Sequence, residues 1–417
     1  MSIKSTISRT LRRFIGLLFL LHVGAAETPV EAQQTPFPIP SGLEETVEFW
    51  KHVFTRYGAD QIVLFDPMDP GKIYSVVSAA DGSAIDRERA KIVADYNLAD
   101  DENRIRTQRG AKEHFLEGLK ISGRYIGQMQ KIFREEGLPP ELAYLPLVES
   151  SFNIRARSSV GAVGMWQFMP ETGKKFLRID DEVDERLDPM AATRAAARLL
   201  KENYRILGRW PLAITAYNHG TDGIFRGVKA VESDNIVDLI RGYQSPTFGF
   251  ASKNFYAEFL AVVDIVTKRE RYFPDLRIHR PVNLQEVAVK RSAKLQALLK
   301  PAAISQRDFF DWNPALDPTA QSIPVGYRVR LPPDKVDDFL AAHTRAGAPS
   351  HAKKVSMVRT VVLQKAVARS QRQATATIAR TPTPKMALAA ANATGRTSSP
   401  ATKRAAASRA QLKLAAR

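Results

Sequence analysis

The segment Leu142-Ala143-Tyr144-Leu145-Pro146-Leu147-Val148-Glu149 ends an apolar run on one carboxylate, and no basic residue follows before Arg155. Burial among apolar side chains disfavours the charged form of a carboxyl group and raises its pKa. If Pro140 to about Ser150 is one helix, Leu142 and Leu145 share the face of Glu149. The carboxylate then lies near the C-terminal carbonyls, which repel an anion, so helix polarity pushes the same way. Pro146 falls inside the segment and is expected to kink it. A carboxylic acid that keeps its proton near neutral pH is what glycosidic-bond cleavage requires of its general acid. The competing structural reading is an ordinary helix-end glutamate facing solvent.

Two further segments offer groups suited to holding a sugar. In Ser158-Ser159-Val160-Gly161-Ala162-Val163-Gly164-Met165-Trp166-Gln167-Phe168-Met169-Pro170 two glycines three apart let backbone pass close to a ligand. Trp166 and Phe168 offer flat faces for sugar rings, and Gln167 both donates and accepts hydrogen bonds. The structural alternative for both aromatics is the core. In Ala213-Ile214-Thr215-Ala216-Tyr217-Asn218-His219-Gly220 a phenol, an amide and an imidazole close an apolar helix. A single histidine in such a place is more commonly structural than catalytic.

Helical periodicity dominates from 110 to 272. Residues His114 to Glu136 carry Phe115, Leu116, Leu119, Ile126, Met129 and Ile132 at helix-like spacings, and Gly137-Leu138-Pro139-Pro140 punctuates them. Asp188-Pro189 reads as an N-cap and first-position proline opening Met190 to Leu207. Pro211 opens a helix that runs to Asn218 and stops at Gly220, and Ser252 to Arg269 makes a last long one. Residues 41 to about 125 mix short helical and extended patterns, read as packing without chemistry. Together these predict a mainly α protein, with strand-like Glu286-Val287-Ala288-Val289 marking a change of character over 280–335.

The chain's 417 residues suffice for two or three compact domains. Residues 1–26 read as an export signal: Lys4, Arg9, Arg12 and Arg13 precede the apolar Phe14 to Val23, and Gly24-Ala25-Ala26 forms a small-residue cleavage site. A retained anchor is the alternative, although the apolar stretch is about half the ~20 residues a spanning helix needs. No transmembrane span is expected after cleavage. A polar linker and the packing region follow over 27–109. The absence of cysteine excludes disulfides, a lipidated cysteine and thiolate metal sites. Net charge is +17, yet 345–417 holds 15 Lys and Arg with no Asp or Glu. With the signal's four basic residues also set aside, the body is near neutral, 42 basic against 44 acidic residues. The basic balance therefore describes the tail and gives no support for nucleic-acid binding by the core. The tail is poor in large apolar side chains and is expected to be disordered. Electrostatic contact with anionic envelope components is one role for it, a solubilising extension the other.

In this order, the three segments resemble the lytic transglycosylases with a goose-type-lysozyme-like catalytic domain, most of all the membrane-bound murein transglycosylase D group. The likeness covers about residues 40–335 and implies an exported peptidoglycan enzyme of the periplasm or cell envelope. It implies an all-α lysozyme-like domain over 110–272 with Glu149 as acid and then base. It places Ser158 beside the substrate's N-acetyl group or the anhydro product. It matches Gly164-Met165-Trp166-Gln167 to a glycine-containing site motif, with Met169 lining the site. Ala216-Tyr217-Asn218 matches a second motif, and Tyr256 a later tyrosine. Substrate binding is thus implied for Ser158, Trp166, Gln167, Met169, Tyr217, Asn218 and Tyr256. Ile154 and Trp166 depart from the family's usual residues and bear on subsite detail. Residues 284–333 resemble a degenerate lysin motif, a small α+β glycan-binding module, through Leu295, Leu298-Leu299, Asp311-Trp312-Asn313-Pro314 and Ile323-Pro324-Val325-Gly326.

Hydrolysis with retention or inversion uses two carboxyl groups around the scissile bond. Among the three motifs only Glu171 is a second acid, and it is expected to begin a helix; Asp180, Asp181, Asp184 and Glu185 read as a solvated run. One acid suits the route the resemblance implies, cleavage of the β-1,4 bond between N-acetylmuramic acid and N-acetylglucosamine to 1,6-anhydro ends, with no metal or cofactor. The alternatives are a muramidase that admits water and a non-catalytic murein-binding protein.

Overall fold

The computed structural model describes residues 36–99 and 101–346. The expected signal lies wholly, and the basic tail almost wholly, outside the described residues. A compact unit begins at Ile39, and everything below lies within it.

The first helix, Glu44–Thr55, buries Val47, Phe49, Trp50, Val53 and Phe54. Those positions recur every three to four residues, so one face of the helix is apolar and packs inward. Its neighbour is an antiparallel sheet in the order Asp69–Ser78, Gln61–Asp66, Arg106–Arg109, in which Val63 faces Val76 on one side and Gln108 on the other. Phe49 stacks on Phe65 of the central strand with ring centroids 4.3 Å apart. Trp50 donates through Nε1 to Asn254 Oδ1 at 2.9 Å, tying this region to the long central helix Phe250–Thr267.

The single helix expected over His114–Glu136 is broken. Lys112–Ser122 and Ile126–Glu135 are separate helices. The reason is tertiary: the chain beyond the last long helix runs against the break. His279 N–H donates to Lys120 O at 2.9 Å and Val282 N–H to Arg124 O at 3.1 Å, using carbonyls that a continuous helix would need. Gly123 permits this approach, since a Cβ there would run into the His279 carbonyl. The Pro140–Ser150 segment also divides, into a 3₁₀ turn Pro140–Tyr144 and an α-helix Leu145–Ser150. Pro146 therefore sits in the first turn of a new helix, where its missing N–H costs no hydrogen bond, instead of kinking one helix.

Asp188 caps Pro189–Leu207 as the sequence suggests, accepting from Met190 N at 2.9 Å and Ala191 N at 2.7 Å. Trp210–His219 ends at Gly220, whose φ of 101° suits glycine. Two short helices that the periodicity did not separate, Thr221–Val231 and Ile236–Gly242, complete the helical domain.

The C-terminal region pairs strand Gln285–Ala288 with Arg328–Leu331, Val287 opposite Val329, and Ala293–Lys294 with Ser322–Ile323. Helices Leu295–Leu299 and Gln306–Trp312 lie between them in sequence, and Pro333–Ala346 follows. Leu298, Phe309, Ile323, Val329 and Phe339 form its core, joined by Val183 from the helical domain. Asp184 N–H donates to Ala315 O at 2.8 Å and Asp317 N–H to Glu182 O at 3.0 Å, so the two regions share backbone pairing as well as apolar contact. Among the described residues no helix is long and apolar enough to cross a membrane.

Candidate active site

Glu149 is the fifth residue of Leu145–Ser150 and only 6% exposed. The helix stops immediately after it because Ser151 and Phe152 both take positive φ, 51° and 59°. Leu145, Leu147 and Val148 of the same helix are buried. The carboxyl side chain lines a cavity of about 340 Å³ together with Asn153, Arg157, Ser158 and Gln167. Phe54, His114 and Phe115 line the same cavity. The N-terminal region, read from sequence as packing alone, therefore helps enclose the site.

The glycine loop is built as a support. Val163 bridges to Arg157 and to Phe168. Ser158 Oγ accepts from Ala162 N at 2.9 Å. Gln167 has φ 48°, in the left-handed region, and its side-chain amide donates to Gly164 O at 2.8 Å. A non-glycine residue held there stores on the order of 1 kcal/mol or more of strain, sustained only by its surroundings. Those surroundings are specific. Ser150 Oγ donates to Met165 O at 2.9 Å, and Tyr217 Oη to Trp166 O at 2.8 Å. Residues 165 and 166 are thus held by the Glu149 helix and by Trp210–His219, and Gln167 follows them into the cavity.

Two expectations about this loop are corrected. Trp166 and Phe168 offer no face to a sugar: they are 0% and 2% exposed. Trp166 donates through Nε1 to Thr193 Oγ1 at 3.0 Å and packs against Phe133 and Tyr217. Large aromatic area is worth more in the core than at the rim of a short loop, so the indole anchors the site from beneath.

The structure brings Glu149, Ser158 and Gln167 to one cavity. Tyr217, Asn218 and Tyr256 are buried and do not line it, and neither does Met169, half-buried at the end of the loop. Asn218 accepts from Ser252 Oγ at 2.9 Å. Tyr256 is 1% exposed, and its hydroxyl finds no hydrogen-bond partner among the described residues; burial pushes its pKa up.

One supporting residue escaped the sequence reading. Arg186 is buried, with Nε 2.9 Å from Asp184 Oδ1 and Nη2 2.9 Å from Oδ2. Its Nη1 donates to Gly161 O at 3.1 Å and Phe168 O at 3.3 Å, closing both ends of the glycine loop. Gly164, at φ 80°, has the Arg186 carbonyl where a Cβ would go. The acidic run expected to be solvated therefore contains an ion pair that supports the loop. The spacing Asp184-Glu185-Arg186 gave no hint, because a local acid–base pair is normally a surface feature.

Residues 128–239, which include Glu149 and the whole glycine loop, match the family described as Transglycosylase SLT domain. The membrane-bound lytic murein transglycosylase D of Escherichia coli K12 is 32% identical to this chain over 148 residues, 35% of this chain and 31% of that protein. A transglycosylase of Enterobacteria phage PRD1 is 36% identical over 91 residues, 22% of this chain and 32% of that protein. The chain thus spans about a third of the length of either relative. Among solved structures, an inactive mutant of lytic transglycosylase Slt from Pseudomonas aeruginosa is 21% identical, over 36% of this chain and 24% of that one, with a TM-score of 0.30.

Proposed function

We propose that this chain is a peptidoglycan lytic transglycosylase in which Glu149 acts first as general acid and then as general base. The observation that carries the reading is a buried glutamate lining a cavity with Ser158 and Gln167, inside the segment that matches the SLT family. Glu149 protonates the bridging oxygen of the β-1,4 bond between N-acetylmuramic acid and N-acetylglucosamine, and the C1–O bond breaks. The substrate's acetamido oxygen stabilises the cationic C1. The Glu149 carboxylate then takes the proton of the muramic C6 hydroxyl as O6 attacks C1, leaving a 1,6-anhydro end. Every proton lost by the acid is recovered by the base, so one carboxyl group completes the cycle without an outside reagent.

Ser158 and Gln167 hold the acetamido and hydroxyl groups of the sugar, Met169 contacts substrate from the end of the loop, and Tyr256 acts from the core. Tyr217 and Trp166 support the loop and Asn218 bonds to Ser252, which favours indirect roles over contact. The region after residue 280 has strands flanking two helices, as a lysin motif does, and it adds affinity for the glycan strand. With residues 1–26 acting as an export signal, the enzyme works in the periplasm or cell envelope, where murein lies.

The test is product analysis on purified murein. Mass spectrometry is expected to find 1,6-anhydro ends; reducing ends would instead establish a muramidase, and sacculus binding without fragment release a non-catalytic binder.

A further inference from the structure

A second cavity, about 550 Å³, lies where the helical domain meets the C-terminal region. Its cationic residues are Arg124, Arg280 and Arg330, its acid is Asp311, and Trp312 supplies an aromatic wall. Two of these charges are neutralised within the protein. Arg330 Nη2 is 2.7 Å from Asp188 and 2.9 Å from Glu286, and Asp311 is 3.2 Å from Arg155. Arg124 and Arg280 remain: neither has a carboxylate within 4.0 Å among the described residues, and both are exposed. The cavity therefore presents two guanidinium groups to whatever enters.

Their placement is built in. Arg124 stands in the break between Lys112–Ser122 and Ile126–Glu135, and Arg280 follows His279 on the segment that fills that break. The bonds His279 N to Lys120 O and Val282 N to Arg124 O fix the two stretches of backbone against each other. Gly123 has no Cβ to obstruct them. Guanidinium groups carried on backbone fixed in this way match carboxylates with paired N–H donors. The indole of Trp312, half-buried, gives an adjoining apolar face.

We infer that this junction cavity binds the free carboxylates of the peptide stems attached to the glycan strand. The inference rests on the proposed murein substrate and names a further part of it. Continuity favours it: Asn153 lines the Glu149 cavity and Ile154, the next residue, lines the junction cavity. The two cavities therefore adjoin along the Asn153–Ile154 backbone. The stem peptide, which bears carboxylates on D-glutamate and at its end, supplies the anionic partner that these arginines lack.

Calorimetric titration of a synthetic stem tetrapeptide into full-length Glu149→Gln protein tests it without turnover. Saturable binding is expected, weakened about tenfold by either Arg124→Ala or Arg280→Ala, the usual loss for one charge-assisted hydrogen bond. Both side chains are exposed, so neither change threatens folding. A tetrapeptide with amidated carboxyl groups is expected not to bind. In the otherwise unaltered enzyme the Arg124→Ala, Arg280→Ala pair should raise KM for intact murein at constant kcat and leave cleavage of peptide-free glycan strands unchanged. No binding, equal binding by the double variant, or displacement by acetate at matching concentration would overturn the inference. Such a failure beside normal release of anhydro ends would leave the proposed function standing; peptide binding without any cleavage would overturn the proposed function instead.

Discussion

Asp66 in the N-terminal sheet and Glu149 in the helical domain are both buried carboxyl groups, 0% and 6% exposed, yet their surroundings differ in kind. Asp66 is committed entirely to the fold. Burial pushes its pKa up, but the Arg104 guanidinium, Met68 N–H at 2.9 Å and Tyr74 hydroxyl at 3.2 Å outweigh that and hold it below the usual range. Glu149 lies beside a cavity large enough for part of a sugar chain. The junction shows the same contrast: Arg330 is enclosed by Asp188 and Glu286, whereas Arg124 and Arg280 face open space. Charges that hold the fold face each other, and charges suited to a ligand face a cavity.

The largest effect should come from Glu149→Gln, which keeps shape and removes the transferable proton. Murein cleavage is expected to fall by roughly 10²–10⁴-fold with the thermal transition preserved. Near wild-type cleavage by that variant would erase the difference between Glu149 and Asp66. Arg330→Ala tests the structural side. It leaves the buried Asp188 without its cation, while Glu286 keeps Arg194 and Arg328, and a broken buried pair of this type costs about 3–5 kcal/mol, to be read from denaturant unfolding.

Gly164→Ala should cost about 2 kcal/mol or more, because the new Cβ meets the Arg186 carbonyl at a φ few residues tolerate. Its activity should fall together with its stability, since the loop that carries Gln167 must move. Ser158→Ala removes only an acceptor for Ala162 N–H. About 1 kcal/mol of stability is expected to go with it, and a larger drop in kcat/KM than in stability would assign Ser158 a direct substrate contact.

Acid should also expose the carboxylates that hold the fold. The Asp66 pKa is depressed in the fold, and so is that of Glu286, where Arg194 and Arg330 outweigh burial. Such groups stabilise the protein above the ordinary carboxylate pKa of about 4 and lose that contribution as pH falls through their lower folded values. Melting temperature measured from pH 7 downward should hold until about pH 4 and then decline. The Asp66→Asn variant should start lower and decline less steeply.

The sequence by itself singled out Glu149, Ser158 and Gln167, which the fold brings to one cavity, and most of the local structure. The apolar run before Glu149, the Asp188 cap and the stop at Gly220 are local signals, carried by residues a few positions apart, and the chain folds as they indicate. The expected glycan contact of Trp166 and the continuous helix over His114–Glu136 failed for one reason. Whether an indole faces solvent, or a carbonyl bonds within its helix, depends on what arrives from distant sequence: Thr193 and Tyr217 in one case, His279 and Val282 in the other. The same holds for the wall that Phe54 and His114 give the site and for the buried Arg186. Tertiary structure alone decided which charges are enclosed and which are left facing a cavity, because burial and pairing are properties of the assembled packing and have no period in the chain.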